Sequence, residues 1–453
     1  MGKGGLVIVG GVAAGLAAAM EARRAAPELP VTVYERTGDI SYGACGLPYV
    51  VAGLINSPDA LVLHTPEYFR ERHSIEVRLN CEAVELLPSK SVLRVREGGA
   101  EREVSYDSLV LATGAAAVCP PLPGRDLEGV FVLRHLRDGR RMLRYFEGAG
   151  PRTAVVVGAG YIGLEMAEAF RARGLRTTLL EASDKVMSAL NGRARDVVAD
   201  ELRAGGVEVV FGERVTAFEG TRGRVERVLT ESGRAVEADV VSVGVGVKPE
   251  VALAVAAGLE VGESGAVPTD ERQRTSAPGV YAAGDCCEVV NRVSGRRVWH
   301  PLGQPAVRQG WVAGANAAGQ DSAPEARYAG VVGTNAVKVF GLEVARTGLS
   351  LENALEAGFD ASEVESESHT RAGYYPGGSR ILTRLVADAR GRLLGAQMVG
   401  REGVAQRVNV FAAALHAGLK VDEVERFDLA YAPPFAPTID PIIRAAHEAR
   451  KKG

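Results

Sequence analysis

Two unbroken apolar runs, each followed at once by glycines and a helical pattern, organise this chain. The first run is Leu6–Val9 and the second is Thr153–Val157. Such runs are typical of parallel strands that are buried on both faces. An alanine-rich helical pattern follows the first run to about Ala26, and a second strand follows at 31–35. The pattern therefore predicts a βαβ unit here and another one at 153–181.

Each predicted unit contains a glycine-rich turn and ends in an acidic residue. The first turn is 10–15 (Gly-Gly-Val-Ala-Ala-Gly), with Glu35 after it, and the second is 158–163 (Gly-Ala-Gly-Tyr-Ile-Gly), with Glu181 after it. This arrangement places a pyrophosphate on the helix N-terminus and a carboxylate on the adenosine ribose. Val12 occupies the usual place of the second glycine, so the first match is imperfect. Two units predict two dinucleotides.

The natural pair of dinucleotides is a flavin and a nicotinamide, because hydride passes from one to the other. After Glu181 come Ala182, Ser183 and Asp184, with no immediate arginine. An acid without a nearby base favours NADH and disfavours the 2′-phosphate of NADPH, although NADPH stays possible.

Two later strands end in turns that suit the same scheme. One ends at Ala112-Thr113-Gly114 and the other at Gly284-Asp285, where the aspartate can accept a hydrogen bond from a ribityl hydroxyl. The competing interpretation is an ordinary loop aspartate. The expected cofactor contacts are Gly10, Gly11, Val12, Ala13, Ala14, Gly15, Glu35, Arg36, Val84, Ala112, Thr113, Gly114, Gly284, Asp285, Gly158, Gly160, Tyr161, Ile162, Gly163, Glu181 and Gly246.

The stretch 41–49, Ser-Tyr-Gly-Ala-Cys-Gly-Leu-Pro-Tyr, carries the candidate reactive group. Cys45 lies between two glycines, which let another molecule approach closely. At the start of a helix, the N-terminal amides would lower the pKa of this thiol, and the thiol could lie against a flavin ring. The alternative is a buried structural cysteine, the commoner fate of a free thiol.

Composition narrows the class of protein. The 453 residues are 46% hydrophobic and 24% charged, and the net charge of −3 indicates neither nucleic acid nor an anionic membrane as a partner. Five cysteines without disulfide or zinc spacing indicate a reducing compartment and no metal site. We find no signal peptide and no apolar run of membrane length, and therefore expect a cytoplasmic protein.

From about Tyr328 the composition changes. A strand at 334–340, a hairpin at 379–399 and a helix at 402–418 predict a unit without a nucleotide motif, which most simply serves dimerisation. The predicted fold class is α/β, with two Rossmann-like dinucleotide-binding domains plus a C-terminal α+β dimerisation domain. The predicted domains are an FAD-binding domain at 1–117 and 266–326, an inserted NAD(P)H-binding domain at 118–265, and a dimerisation domain at 327–453.

The whole chain resembles the flavoprotein disulfide reductase superfamily. It is most similar to the single-cysteine branch, which includes coenzyme A disulfide reductases, NADH oxidases, NADH peroxidases and persulfide reductases. The resemblance rests on both glycine units, on 112–114 and 283–285, and above all on 41–49. The dithiol branch has a second cysteine where this chain has Val50. The resemblance implies FAD, NADH and a homodimer.

Within the branch, the motifs favour the coenzyme A disulfide reductases. Oxidase and peroxidase relatives carry a histidine where this chain has Ala13. The segments 374–378 (Tyr-Tyr-Pro-Gly-Gly) and 431–434 (Tyr-Ala-Pro-Pro) resemble two tyrosine motifs that those enzymes supply to the partner's site. Tyr375 and Tyr431 are the implied positions, with aromatic packing as the alternative. Where the family often has asparagine before the cysteine, this chain has Ala44.

The resemblance also implies a mechanism, in which Cys45 forms a mixed disulfide with coenzyme A and Tyr431, aided by Tyr375, protonates the leaving thiolate. Arg24 and Ser41 match family positions that bind the substrate, which is coenzyme A or its disulfide. Arg23 is adjacent, and His73 stands where the family has a lysine. These arginines could equally be a solvated surface.

Three other functions stay open from sequence. An NADH oxidase would use the same cysteine against oxygen, and a persulfide or polysulfide reductase would use it against other S–S bonds. A ferredoxin or rubredoxin reductase would pass electrons to a docked protein and would need no cysteine.

Overall fold

The computed structural model describes residues 4–188, 190–319 and 326–452. The first domain is built on a parallel sheet, whose strands in spatial order are Val280–Ala282, Ser108–Leu111, Leu6–Val9, Val31–Tyr34 and Ile75–Arg78. Its N-terminal elements are β1 (Leu6–Val9), α1 (Ala13–Ala25), β2 (Val31–Tyr34), α2 (Leu47–Val51), α3 (Pro66–His73), β3 (Ile75–Arg78), β4 (Cys81–Leu87), β5 (Val92–Glu97), β6 (Ala100–Ser105), β7 (Ser108–Leu111) and β8 (Ala115–Ala117).

The second domain follows with its own parallel sheet, in the order β12-β11-β10-β16-β9. Its elements are β9 (Val130–Phe131), α4 (Leu136–Ala149), β10 (Thr153–Val157), α5 (Tyr161–Ala172), β11 (Arg176–Glu181), α6 (Arg193–Ala204), β12 (Val207–Phe211), β13 (Val215–Thr221), β14 (Arg224–Thr230), β15 (Ala235–Glu237), β16 (Val240–Val243), β17 (Val247–Pro249) and α7 (Ala252–Ala256).

The chain then returns to the first domain, because β18 pairs with β7 at the edge of its sheet. The returning elements are β18 (Val280–Ala282), β19 (Val289–Val290), β20 (Arg297–Val298) and α8 (Gly303–Ala318). The long helix α8 packs along α1, where Gly310 and Gly314 leave no room for a side chain against the α1 backbone. The nucleotide helix α1 is therefore enclosed between its sheet and α8.

The C-terminal domain is an antiparallel sheet in the order β21-β22-β25-β24-β23, against which α10 and α12 pack. Its elements are β21 (Asn335–Val339), β22 (Leu342–Gly348), α9 (Leu351–Glu356), β23 (Ala361–His369), β24 (Arg380–Asp388), β25 (Leu393–Gly400), α10 (Val404–Ala417), α11 (Val421–Glu425) and α12 (Pro441–Lys452). The fully buried Phe411 lies at the centre of its core.

The architecture confirms the predicted fold class, including both βαβ units, the hairpin β24–β25 and the helix at 402–418. The exact domain boundaries stay predictions, and the outermost parts of those ranges, 1–3, 320–325 and 453, lie outside the described residues. No helix in the described part of the chain is both long and apolar enough to cross a membrane.

Candidate active site

The two glycine turns have equivalent backbone geometry and equally close packing. Gly10 and Gly158 have φ values of +110° and +98°, in the region that favours glycine. A Cβ on Gly15 would lie 1.9 Å from the Gly10 carbonyl oxygen, and a Cβ on Gly163 would lie 1.9 Å from that of Gly158. Each helix can therefore begin directly against its turn only because both positions lack a side chain, which brings its N-terminal amides to the ligand side.

The two acids that end β2 and β11 also make equivalent hydrogen bonds. Glu35 accepts from the backbone N–H of Gly11 at 2.9 Å and from that of Thr37 at 2.9 Å. Glu181 accepts from Ala159 N–H at 2.7 Å and from Ser183 N–H at 2.8 Å. These bonds fix each carboxylate at the mouth of its turn, where a dinucleotide's adenosine ribose binds in this fold.

The third positions of the two turns differ. Val12 is half-buried at the start of α1, whereas Gly160 at the start of α5 has no other group within 4 Å of the place that a Cβ would occupy. The second turn is thus open at the point where a pyrophosphate approaches the backbone.

A pair of substitutions distinguishes these two uses of glycine. We expect Gly163→Ala to destabilise the protein by about 3 kcal/mol, because its methyl group would overlap the Gly158 carbonyl. We expect Gly160→Ala to change stability by less than about 0.5 kcal/mol but to raise the KM for NADH, since the methyl group would enter the ligand space. Thermal unfolding and steady-state kinetics measure both. Equal destabilisation by the two variants would contradict this assignment.

The other predicted flavin contacts collect at the ends of β7 and β18. Thr113 follows β7 and donates from its hydroxyl to the Glu250 carbonyl at 2.6 Å. Asp285 follows β18, and its carboxylate accepts from Arg134 at 2.7 Å, while its carbonyl accepts from Trp299 Nε1 at 2.7 Å. The predicted Asp285 is therefore ion-paired, and Arg134 is a site residue that the motifs did not reveal.

The remaining predicted cofactor residues lie on several segments. Gly114 and Gly284 have φ values of +75° and +84°, and Gly246 has +123° in the loop after β16. Arg36 forms an ion pair with Glu250 at 3.6 Å, with both side chains partly exposed. The other residues of this set are Val84 in β4, Ala13, Ala14 and Gly15 in α1, Ala112 after β7, and Tyr161 and Ile162 in the first turn of α5.

Cys45 lies in a 3₁₀ helix, Ala44–Gly46, that leads directly into α2, and its side chain is exposed. The expected fall in its pKa is wrong in direction. Partial desolvation of the thiol in the cleft raises the pKa of Cys45, and the Glu165 carboxylate raises it further, while Arg134 opposes both. Desolvation of the thiol, together with the Glu165 carboxylate, outweighs the effect of the helix start.

The burial of the other four cysteines indicates that they have packing roles. Cys81, Cys286 and Cys287 are buried, and Cys119 is half-buried. The thiol of Cys286 donates to the Leu111 carbonyl at 3.4 Å. Cys45 is thus the one cysteine with an exposed side chain among the described residues.

The tyrosine motifs form an exposed aromatic surface on the C-terminal domain. The Tyr431 hydroxyl lies 3.3 Å from that of Tyr374, while Tyr375 instead lies under the Arg371 guanidinium, 5.9 Å from it. Tyr374 is 77% exposed, and Phe435, which is 76% exposed, belongs to the same surface. The sequence motif contained Tyr374, but reasoning from the family selected its neighbour.

The hydrogen bond with Tyr374 lowers the pKa of Tyr431, and a hydrogen bond with Thr438 acts in the same direction. The pKa of Tyr374 is raised by the same bond. Tyr431 is accordingly the better proton donor of the two at neutral pH.

The predicted substrate contacts separate into two groups. Arg23 donates to the His73 carbonyl at 2.9 Å and to the Leu29 carbonyl at 2.8 Å, so it ties α1 to α3. Arg24 is exposed and pairs with Glu21. His73 is half-buried, and burial lowers its pKa. Ser41 is buried with φ +49°, and its amide donates to the Gly11 carbonyl at 3.0 Å. Arg24 is therefore freer to bind a ligand than Arg23.

The end of β11 opens into a cavity of about 620 Å³. Its charged lining is mixed and consists of Asp184, Lys185, Arg193, Arg195, Asp196, Asp200 and Arg203. No group of three or more metal-ligating side chains that could hold a metal ion occurs among the described residues.

Two dinucleotide-binding domains and an exposed thiol at their junction define a flavin-dependent NAD(P)H oxidoreductase. The model of the pyridine nucleotide-disulphide oxidoreductase family matches residues 5–310, and the model of that family's dimerisation domain matches residues 334–441. The chain belongs to the pyridine nucleotide-disulphide oxidoreductase family. It is accordingly an FAD- and NAD(P)H-dependent oxidoreductase with a C-terminal dimerisation domain, as predicted.

Three relatives that match over almost their whole length have different names. An NAD(P)H coenzyme A polysulfide/persulfide reductase from Pyrococcus horikoshii is 39% identical, over 97% of this chain and 96% of the relative. An NADH oxidase from Methanocaldococcus jannaschii is 35% identical, over 98% of both. A coenzyme A disulfide reductase from Staphylococcus haemolyticus is 31% identical, over 98% of this chain and 99% of the relative. Two of these names specify coenzyme A and sulfur or disulfide chemistry, and the third specifies NADH oxidation. The names therefore differ in the electron acceptor.

Proposed function

We propose that this enzyme reduces coenzyme A disulfide to two coenzyme A thiols with NADH, through Cys45. The observation that carries the proposal is the exposed Cys45 thiol, set between glycines at the junction of two dinucleotide-binding domains. The coenzyme A relatives named above support the choice of substrate.

The first step is an attack of the Cys45 thiolate on one sulfur of the disulfide. The substrate's S–S bond breaks, a Cys45–coenzyme A disulfide forms, and one coenzyme A thiolate leaves. Two electrons from NADH then break the mixed disulfide, which releases the second coenzyme A and restores the Cys45 thiolate. The bound flavin supplies hydride acceptance from NADH and electron transfer to the disulfide.

Protonation of the leaving thiolate is assigned to Tyr431, whose hydroxyl is exposed and whose pKa is lowered by Tyr374. We propose that this tyrosine acts at the Cys45 of a partner subunit. No hydrogen bond among the described residues joins Tyr374 or Tyr431 to the segment 41–49, whereas both lie on the exposed surface of the dimerisation domain. The active site is then completed only in the homodimer.

NADH is the preferred coenzyme in this proposal, with NADPH as a poorer alternative. The Glu181 carboxylate stands where a 2′-phosphate would be repelled. The arginines of the neighbouring cavity are accompanied by three aspartates, so the cavity is not a purely cationic phosphate site.

Two alternatives have different physical requirements. A persulfide or polysulfide reductase needs only the same attack on an S–S bond and so could share this site. An oxidase that uses Cys45 against oxygen is disfavoured at Ala13, an exposed methyl group where the resemblance to oxidases implies histidine. Electron transfer to a docked protein would leave Cys45 without a role.

An anaerobic assay with purified enzyme tests the proposal. We expect coenzyme A disulfide to trigger NADH oxidation with release of two thiols per NADH, and expect NADPH to be a poorer reductant. Oxygen as the only acceptor provides the comparison. Rapid oxidation by oxygen with no thiol release from the disulfide would instead establish an oxidase.

A further inference from the structure

A hydrogen bond joins α2, which directly follows the 3₁₀ helix that carries Cys45, to α5, the helix of the second glycine turn. The Tyr49 hydroxyl in α2 donates to Glu165 Oε1 in α5 at 3.2 Å, and the two helices pack together. Glu165 is half-buried in this contact. A carboxyl group of the NAD(P)H-binding domain thus lies beside the segment that contains the reactive cysteine.

This carboxyl group has an unusual titration because of its position. Burial raises the pKa of Glu165 to about 7, with a further increase from Glu168 and a partial decrease from the Tyr49 hydrogen bond. Glu168 itself binds Lys338 and the Phe340 amide. Glu165 therefore changes charge near neutral pH. Its neighbour Glu168, on the same helix, has these two partners instead.

Three charged side chains from the surrounding elements act on the pKa of Cys45. Glu165 from α5 and Asp285 from the end of β18 raise the pKa of the thiol, and Arg134 lowers it. Arg134 and Asp285 are paired with each other, which reduces the net field of both. Burial raises the pKa of the neighbouring Tyr49 to about 12, with smaller increases from Glu165 and Cys45.

We propose that Glu165, held in place by Tyr49, is a positioning residue that controls how readily the Cys45 thiol ionises. This inference rests on the proposed role of Cys45. When Glu165 is ionised, its charge opposes the thiolate. When Glu165 is neutral, this opposition is absent and the thiolate forms more easily. Because Glu165 is on α5, directly after the coenzyme's glycine turn, the domain that binds NAD(P)H governs the nucleophile.

The test is the pH dependence of alkylation in reduced holoenzyme. Iodoacetamide is added without oxygen, and modification of the Cys45 peptide is measured by mass spectrometry. We expect Glu165→Gln to shift the profile about one pH unit lower, which is about a tenfold faster reaction at a given pH below the thiol pKa. Glu168→Gln removes a charge that raises the pKa of Glu165, so Cys45 should react more slowly than in the wild type near pH 7 and alike at higher pH.

Tyr49→Phe gives a second, independent result. Loss of its hydroxyl keeps Glu165 neutral to a higher pH, so Cys45 should react faster than in the wild type between about pH 7 and 8 and alike at higher pH. An unchanged profile in Glu165→Gln would overturn the inference, as would an equal change at Cys119. These outcomes do not require turnover, so they are distinguishable from failure of the proposed disulfide reduction.

Discussion

Replacing Cys45 with serine will lower NADH-driven reduction of coenzyme A disulfide by about 10³-fold or more. A serine hydroxyl at neutral pH has almost no oxyanion and cannot form the mixed disulfide, so the covalent route is lost. The loss should fall on kcat, measured anaerobically as thiols released per NADH. FAD content and the bleaching of the flavin by NADH should stay unchanged, because the glycine turns and both acids lie elsewhere.

Cys119→Ser is the matched control, since Cys119 is half-buried and is not among the groups that act on Cys45. It should retain wild-type turnover. Undiminished disulfide reduction in Cys45→Ser would refute every cysteine mechanism for this chain and favour electron transfer to a docked protein.

The second large effect is expected for Tyr431→Phe, which should slow disulfide reduction by about 10²-fold. The phenyl ring keeps the packing of the exposed surface but cannot protonate the leaving thiolate. The measurement is kcat with coenzyme A disulfide against pH. A disulfide of a more acidic thiol should lose less, because its leaving group needs less protonation.

Tyr374→Phe separates the proton donor from its hydrogen-bond partner. Tyr431 donates only while it is protonated, so activity falls as the pH rises through its pKa. Tyr374 lowers that pKa, and its removal should therefore move the alkaline limb of the profile to higher pH. Tyr375→Phe is the control, because its ring lies under Arg371. If only Tyr375→Phe impaired turnover, Tyr375 would be the functional tyrosine, as the family resemblance implied, and the hydrogen bond between Tyr374 and Tyr431 would have no role in catalysis.

What the sequence predicted best depends on local geometry. The turn at 158–163 and the acid Glu181 are separated by one helix and one strand, so their order fixes their contact. The same holds for 10–15 and Glu35. Positive φ values and the absence of space for a Cβ follow from the turn itself, which is why glycines could be assigned without coordinates.

The predictions that were wrong or missing concern side chains from different domains that lie close together. Cys45 was expected to have a lowered pKa from its helix start, but partial burial of the thiol raises it, and Glu165, on a helix of the inserted domain, raises it further. Arg134 reaches Asp285 in the same way. Which of Tyr374 and Tyr375 faces Tyr431 depends on how two distant loops fold together. Periodicity and motif spacing hold no information about such contacts.

When a site takes its proton donor from a second chain, combining two inactive variants in one dimer can restore an intact site. Coexpression of Cys45→Ser and Tyr431→Phe chains would yield hybrid dimers in which one cleft has both mutations and the other has neither. With random pairing, half of the dimers are hybrids with one intact site each, so the mixture should have about a quarter of wild-type activity. Each variant expressed alone should have almost none. In the proposed dimer, the exposed tyrosine pair therefore makes catalysis a property of the assembly that neither chain has alone.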